Sequence, residues 1–171
     1  AEKGQVGRVI RVMILGIPNV GKSTFINKVA KRKTAKAEDR PGVTRSKQWV
    51  PVDASLELMD TPGILWPKFD DEKVGTDLAF IGSVNDQILN LNELAFELVE
   101  FIVKNYPGVI KERYNVEEND PNAMFEAIAL NKACIKKGGE PDIDKAVAMI
   151  IDDFRSGKLG RISIEKPQDY E

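Results

Sequence analysis

Three short clusters in the chain carry residue types that can handle a phosphate. Gly16-Ile17-Pro18-Asn19-Val20-Gly21-Lys22-Ser23 obeys the pattern G-x-x-x-x-G-K-[ST]. Its glycines let successive backbone N–H groups converge on phosphate oxygens, and a following helix adds the partial positive charge of its N-terminus. Lys22 supplies a point charge to the outer phosphates, and the Ser23 hydroxyl can enter the shell of a Mg²⁺ ion. Asp60-Thr61-Pro62-Gly63 forms D-x-x-G, with the aspartate placed to hold Mg²⁺ through water and the Gly63 N–H placed to meet a γ-phosphate. Thr44, in Arg40-Pro41-Gly42-Val43-Thr44, suits a switch threonine that closes over the metal and the γ-phosphate. An ordinary loop threonine is the alternative.

These residues need a scaffold that brings them together, and the sequence suggests one. Arg8 to Leu15 is a mostly apolar, β-branched run that reads as a buried strand, and Lys22 to Lys33 places Phe25, Ile26, Val29 and Ala30 at helical spacing. Strand, glycine loop and helix in direct succession are the context that the lysine motif requires. Lys47 to Val52 and Ser55 to Met59 read as two further strands around the turn-prone Asp53-Ala54, the second ending on Asp60. Past Gly82 the pattern is helical. Asn92 is the expected cap of a helix carrying Leu94, Leu98, Phe101 and Ile102, and Pro107 to Tyr114 is expected as a short helix. Asp120-Pro121 opens another, which Gly138-Gly139 closes off, and Asp142 or Asp144 starts a last helix stopped near Gly157 and Gly160.

Two expected parts of a guanine-nucleotide domain are absent from this sequence. A guanine pocket needs a carboxylate for the base, normally the aspartate of N-K-x-D. Asn131-Lys132-Ala133-Cys134 is the nearest approach, and cysteine cannot replace that aspartate. Residues 84 to 91, VNDQILNL, are too polar for a further buried parallel strand. The D-x-x-G loop also lacks a catalyst: Ile64 and Leu65 follow it, neither able to orient water, and the chain has no histidine.

Composition narrows the setting. At 42% apolar residues the chain suits a folded globular protein, and no run of about 18 apolar residues suggests a membrane span. Cys134 is the sole cysteine, which excludes an internal disulfide, agrees with a reducing cytoplasm, and reads as a small core residue. The net charge of −2 hides an asymmetry: residues 1 to 49 carry twelve Lys/Arg against three Asp/Glu, a balance of +9, and the remainder a balance of −11. An anionic ligand suits the first third, while the acidic remainder speaks against non-specific nucleic-acid binding, and no DNA partner is expected.

The series GIPNVGKST, RPGVT and DTPGILWPKF, followed by a helical tail, resembles the ribosome biogenesis GTPase A (YlqF) family of circularly permuted GTPases. The resemblance spans essentially the whole chain. It implies an α/β P-loop NTPase fold: residues 1–84 as the second half of a permuted G domain, and 85–171 as an all-α helical domain. It further implies GTP/GDP binding by Asn19, Val20, Gly21, Lys22, Ser23 and Thr24, with Gly63 on the γ-phosphate, and Mg²⁺ held through Ser23, Thr44 and Asp60. Asn19 matches the asparagine of potassium-activated GTPases and so is a K⁺ candidate, or else a side chain that braces its loop. The implied role is GTP hydrolysis in late assembly of the large ribosomal subunit, stimulated by the ribosomal particle. The implied partners are the precursor of that subunit and its ribosomal RNA, met in the helical tail by Lys136, Lys137, Lys158 and Arg161. Trp66 is a candidate partner contact. Solvated surface for the four cations, and packing for Trp66, are the alternatives.

In that family the apolar residue at the position of Ile64 goes with a water-positioning histidine nearer the N-terminus, so the resemblance makes this chain a fragment. An isolated fragment is expected to dissolve poorly, because sheet faces covered in the whole protein would be exposed. Two other readings stay open: an RNA-assembly module that uses nucleotide only as a conformational latch, and a P-loop ATPase of another type.

Overall fold

The computed structural model of the 171-residue chain describes residues 9–31, 44, 46–65, 71–118 and 120–170. Two compact units emerge, one comprising the described residues up to Val74 together with Ile81–Asn85, the other Gly75–Phe80 together with those from Asp86 onward.

The first unit holds β1 (Ile10–Ile14), α1 (Lys22–Val29), β2 (Gln48–Pro51) and β3 (Leu56–Asp60). β3 is the central strand of the order β1-β3-β2. It pairs parallel with β1, so that Ile14 lies opposite Asp60, and antiparallel with β2, so that Gln48 lies opposite Asp60 from the other side. A parallel pair requires a crossover, and α1 lies within it. The antiparallel pair needs only a tight turn: the Asp53 carboxylate accepts from the Ser55 N–H at 2.7 Å and from its hydroxyl at 2.8 Å. Ile26 of α1 packs with Val50 and Leu58 into a small core, flanked by Ile14, Val29 and Leu56.

Two expectations change here. β1 forms where the apolar run predicts it, but it is not buried: Ile10 is 63% exposed and Met13 51%. Among the described residues β1 pairs with β3 on one side only, at the edge of a three-stranded sheet whose small core with α1 leaves much of the strand uncovered. Helix α1 also stops at Val29 and does not run to Lys33. Lys31 has the left-handed φ of 53°, which breaks the helical run, and residues 32 and 33 lie outside those described.

The helical unit takes the end of α2 (Glu72–Phe80) and all of α3 (Leu91–Asn105), α4 (Val109–Tyr114), α5 (Pro121–Asn131) and α6 (Ile143–Arg155). Helix α6 packs against α3 and α5, burying Val147, Ile150 and Ile151 with Leu98, Ile102 and Ile128. Phe80 adds its ring beside Phe101 and Phe154, with centroids 6.4 and 6.3 Å away. Arg155 closes the C-terminal end of α2 by donating to the carbonyls of Ala79 (2.7 Å) and Phe80 (3.0 Å), and it grips both carboxylate oxygens of Asp86 at 2.7 and 2.8 Å. Beneath α6 the Asp153 carboxylate is buried with Arg113 at 2.8 Å, Lys158 at 3.1 Å and the Tyr114 hydroxyl at 3.2 Å.

The caps refine the sequence reading. Asp120 and Asp142 cap α5 and α6, accepting from Ala123 N–H and Lys145 N–H. The cap of α3 is Asn90, not Asn92, which lies inside the helix. Helix α4 begins at Val109, after a left-handed Gly108, and not at Pro107. Helix α5 ends at Asn131, well before Gly138-Gly139, which instead form the turn of the short Ile135–Pro141 bridge. Helix α2 has no counterpart in the sequence reading. Cys134 is buried as expected. Among the described residues, no helix is long and apolar enough to cross a membrane.

Candidate functional site

The C-terminal ends of β1 and β3, adjacent and parallel, deliver two loops to one place. From β1 the chain enters Leu15 to Gly21, where Asn19 and Gly21 take left-handed φ values of 58° and 85°. Glycine adopts that conformation freely and asparagine more readily than most residues, which is why the loop can turn so tightly into α1. Lys22, the first helical residue, folds back and donates to the carbonyls of Ile17 (2.7 Å) and Gly16 (3.1 Å). Burial lowers the pKa of its ammonium from the ordinary lysine value, and the negative charge of Asp60 opposes that shift. A phosphate entering the loop would replace these carbonyls as the partner of Nζ.

Ser23, Thr44 and Asp60, far apart in sequence, converge. The Ser23 hydroxyl donates to Asp60 Oδ2 at 2.7 Å, Thr44 Oγ1 donates to the same oxygen at 3.3 Å, and the two hydroxyls are 3.2 Å apart. Asp60 is only 1% exposed, and its Oδ1 has no hydrogen-bond partner among the described residues. A buried carboxylate oxygen without a partner is costly, so a cation is a natural complement. The donor set is hard oxygen throughout, the chemistry that Mg²⁺ accepts, usually with several waters retained. Of the RPGVT segment only Thr44 is described; Arg40, Pro41, Gly42 and Val43 lie outside.

Beyond β3, the Thr61 hydroxyl donates to the Ile14 carbonyl at 2.7 Å and ties the two strand ends together. Gly63 then presses on the phosphate-loop backbone: a Cβ built on it would lie 2.4 Å from both N and Cα of Pro18. Only glycine allows that approach. The Ile64 N–H reaches Gly16 O at 3.4 Å, while the Ile64 side chain is 72% exposed and offers no polar atom. Trp66, like residues 67 to 70, lies outside the described residues.

The sequence reading missed a third contributor. Residues 81 to 85 rejoin the first unit, and there the buried Ser83 hydroxyl donates to Pro18 O at 2.7 Å while Gly82 O accepts from Asn19 Nδ2 at 3.3 Å. Gly82 was legible only as a break in the pattern, and nothing in the sequence marks Ser83. In the helical unit Lys136, Lys137, Lys158 and Arg161 are all exposed, although Lys158 is already paired with Asp153. Asn131 binds the carbonyls of Tyr114 and Asn115 through its amide, a structural use that agrees with rejecting it as a base-recognition asparagine.

Comparison with known proteins gives a consistent picture. The family profile described as 50S ribosome-binding GTPase matches residues 11–132. The chain is 49% identical over 170 residues to a Bacillus cereus protein named Ribosome biogenesis GTPase A, covering 98% of this chain and 57% of that protein. It is 50% identical over 169 residues to the protein of that name from Bacillus licheniformis, covering 98% of this chain and 60% of that one. Among solved structures, GNP-bound YlqF from T. maritima superposes with a TM-score of 0.65 at 30% identity, covering 94% of this chain and 61% of that one. The chain thus spans less than two thirds of the length of the curated relatives it matches.

Proposed function

The chain belongs to the 50S ribosome-binding GTPase family, and from that premise we propose that it carries the phosphate-binding and switch half of a circularly permuted GTPase that hydrolyses GTP during late assembly of the large ribosomal subunit. The observation that carries this reading is the convergence of Ser23, Thr44 and the buried Asp60, whose Oδ1 has no partner among the described residues, beside a loop on which Gly63 rests.

In this reading residues 1–84 form the partial G domain and 85–171 the helical domain. Backbone N–H groups from Asn19 to Thr24 and the Lys22 ammonium bind the β- and γ-phosphates, and the Gly63 N–H senses the γ-phosphate. Ser23, Thr44 and Asp60 hold Mg²⁺, which when bound neutralises charge on the phosphate oxygens. Asn19 is assigned to a K⁺ ion through its amide oxygen, its nitrogen being used by Gly82. Ile64 stands where other such proteins place a glutamine, so the group that orients the attacking water belongs to the remainder of the full-length protein. The same holds for guanine recognition. The working compartment is the cytoplasm, and the partners are the large-subunit precursor and its ribosomal RNA, met by Lys136, Lys137 and Arg161, with Lys158 contributing from its ion pair.

The test is turnover of GTP and ATP by the full-length protein, with and without large ribosomal subunits. GTP hydrolysis stimulated by the subunit is expected. No stimulation would leave the nucleotide as a mere latch, and equal binding of ATP and GTP would point to another class of P-loop enzyme. The same assay in KCl and NaCl checks Asn19: equal rates in both salts would remove K⁺ from the assignment.

A further inference from the structure

Residues 81 to 85 make no contact that a nucleotide motif calls for, yet they touch the phosphate loop at its most constrained point. Ser83 is 1% exposed, and its hydroxyl donates to Pro18 O at 2.7 Å. Gly82, itself buried and at a left-handed φ of 72°, turns its carbonyl to accept from Asn19 Nδ2 at 3.3 Å. The same Pro18 has Gly63 packed against its N and Cα, too close to admit a Cβ. Pro18 is therefore gripped by two segments, one from the D-x-x-G loop and one from Gly82-Ser83.

We infer that Ser83 and the Gly82 carbonyl are positioning groups for nucleotide binding, holding Pro18-Asn19 in the conformation the loop needs before any phosphate arrives. Three features support this. Pro18 has no N–H, so its neighbours can fix this residue by hydrogen bonding only through its carbonyl, and the buried hydroxyl does so. Asn19 sits at a φ of 58°, a conformation that persists in a non-glycine residue when its surroundings over-determine it. Its amide has two different ends, and engaging Nδ2 with Gly82 leaves Oδ1 as the end able to accept from, or ligate, whatever the loop binds. A phosphate loop ordered in advance loses less conformational freedom on binding, which appears as affinity.

The inference rests on the proposed nucleotide binding for its functional arm, but its structural arm does not. In the full-length, nucleotide-free protein, hydrogen exchange at residues 17–22 is expected to rise in Ser83→Ala, with exchange in α3 and α6 unchanged. In the same variant the dissociation constant for GDP should rise about tenfold, the effect of one buried hydrogen bond lost with its acceptor left unpaired. Ser83→Thr, which keeps the hydroxyl, should lie nearer to the wild type in both measurements. Unchanged exchange at 17–22 in Ser83→Ala would overturn the inference. So would a rise spread evenly over the chain, which would mark Ser83 as a general stability residue. If the wild type binds no guanine nucleotide, the functional reading falls, and the exchange experiment still decides the role of Ser83.

Discussion

Gly63 shows how much a missing side chain can specify. Because a Cβ there would lie 2.4 Å from two backbone atoms of Pro18, Gly63→Ala must displace either the D-x-x-G loop or the phosphate loop. The expected cost is about 1–3 kcal/mol in the stability of the first unit, together with weaker nucleotide binding, read from urea melts and a fluorescent-nucleotide titration. Asp153 in the helical unit is constrained by its charge. Burial pushes its carboxyl pKa up, but hydrogen bonds from Lys158, Arg113 and Tyr114 and the charge of Arg113 more than reverse this, leaving it below the usual carboxylate value. A lowered folded pKa means that its stabilisation is complete above the unfolded value of about 3.9 and is lost as pH falls through the folded one. Tyr114 works at the other extreme: burial and the nearby Asp153 charge raise its pKa, so its contribution is present below about 10 and fades above it. Asp153→Asn should therefore cost about 2 kcal/mol at neutral pH, discounted because Arg113 and Lys158 remain partly in water, and should flatten the acid limb of the stability curve. Urea midpoints between about pH 3 and 7 check this.

At the scale of elements, helix α3 separates two asparagines that the sequence alone does not rank. Asn90 accepts from the Glu93 N–H and caps the helix, whereas Asn92 is its second residue. Asn90→Ala is expected to cost about 0.5–1 kcal/mol and Asn92→Ala close to nothing, measured by thermal melts of the two variants. The choice was hard to read because Leu89, Leu91 and Leu94 offer an apolar start at either position. The strand, glycine loop and helix that carry Lys22 and Ser23 were legible, because a motif and two periodicities agree there. So was family membership, which the 50S ribosome-binding GTPase profile over residues 11–132 bears out. The exposure of β1 was not: an apolar run announces a strand but says nothing of how many neighbours cover it. Helix α2 went unread because Gly75, a poor helix former, falls in its middle, although Asp71, which accepts from the Lys73 N–H, was a start signal available in the sequence. The grip of Ser83 on Pro18 links residues 65 positions apart, and a serine in a polar loop carries no local mark of such a bond.

On the scale of the whole molecule, the two units differ in how well they are covered. The helical unit buries a broad set of apolar side chains, while the first unit's compact core is Ile26, Val50 and Leu58, with Ile10, Met13, Leu15 and Trp49 exposed. The 171-residue chain is expected to self-associate, more so than the full-length protein at equal concentration, which light scattering would compare. The solitary thiol at Cys134 offers a way to watch one unit apart from the other. Cys134 is 2% exposed in the helical unit, and these 171 residues hold no second cysteine to confuse the signal. A chromogenic disulfide reagent can reach that sulfur only when the helices part, so the labelling rate is a clock for the opening of that unit. Asp153→Asn should speed the clock and Ser83→Ala should leave it running at its native pace.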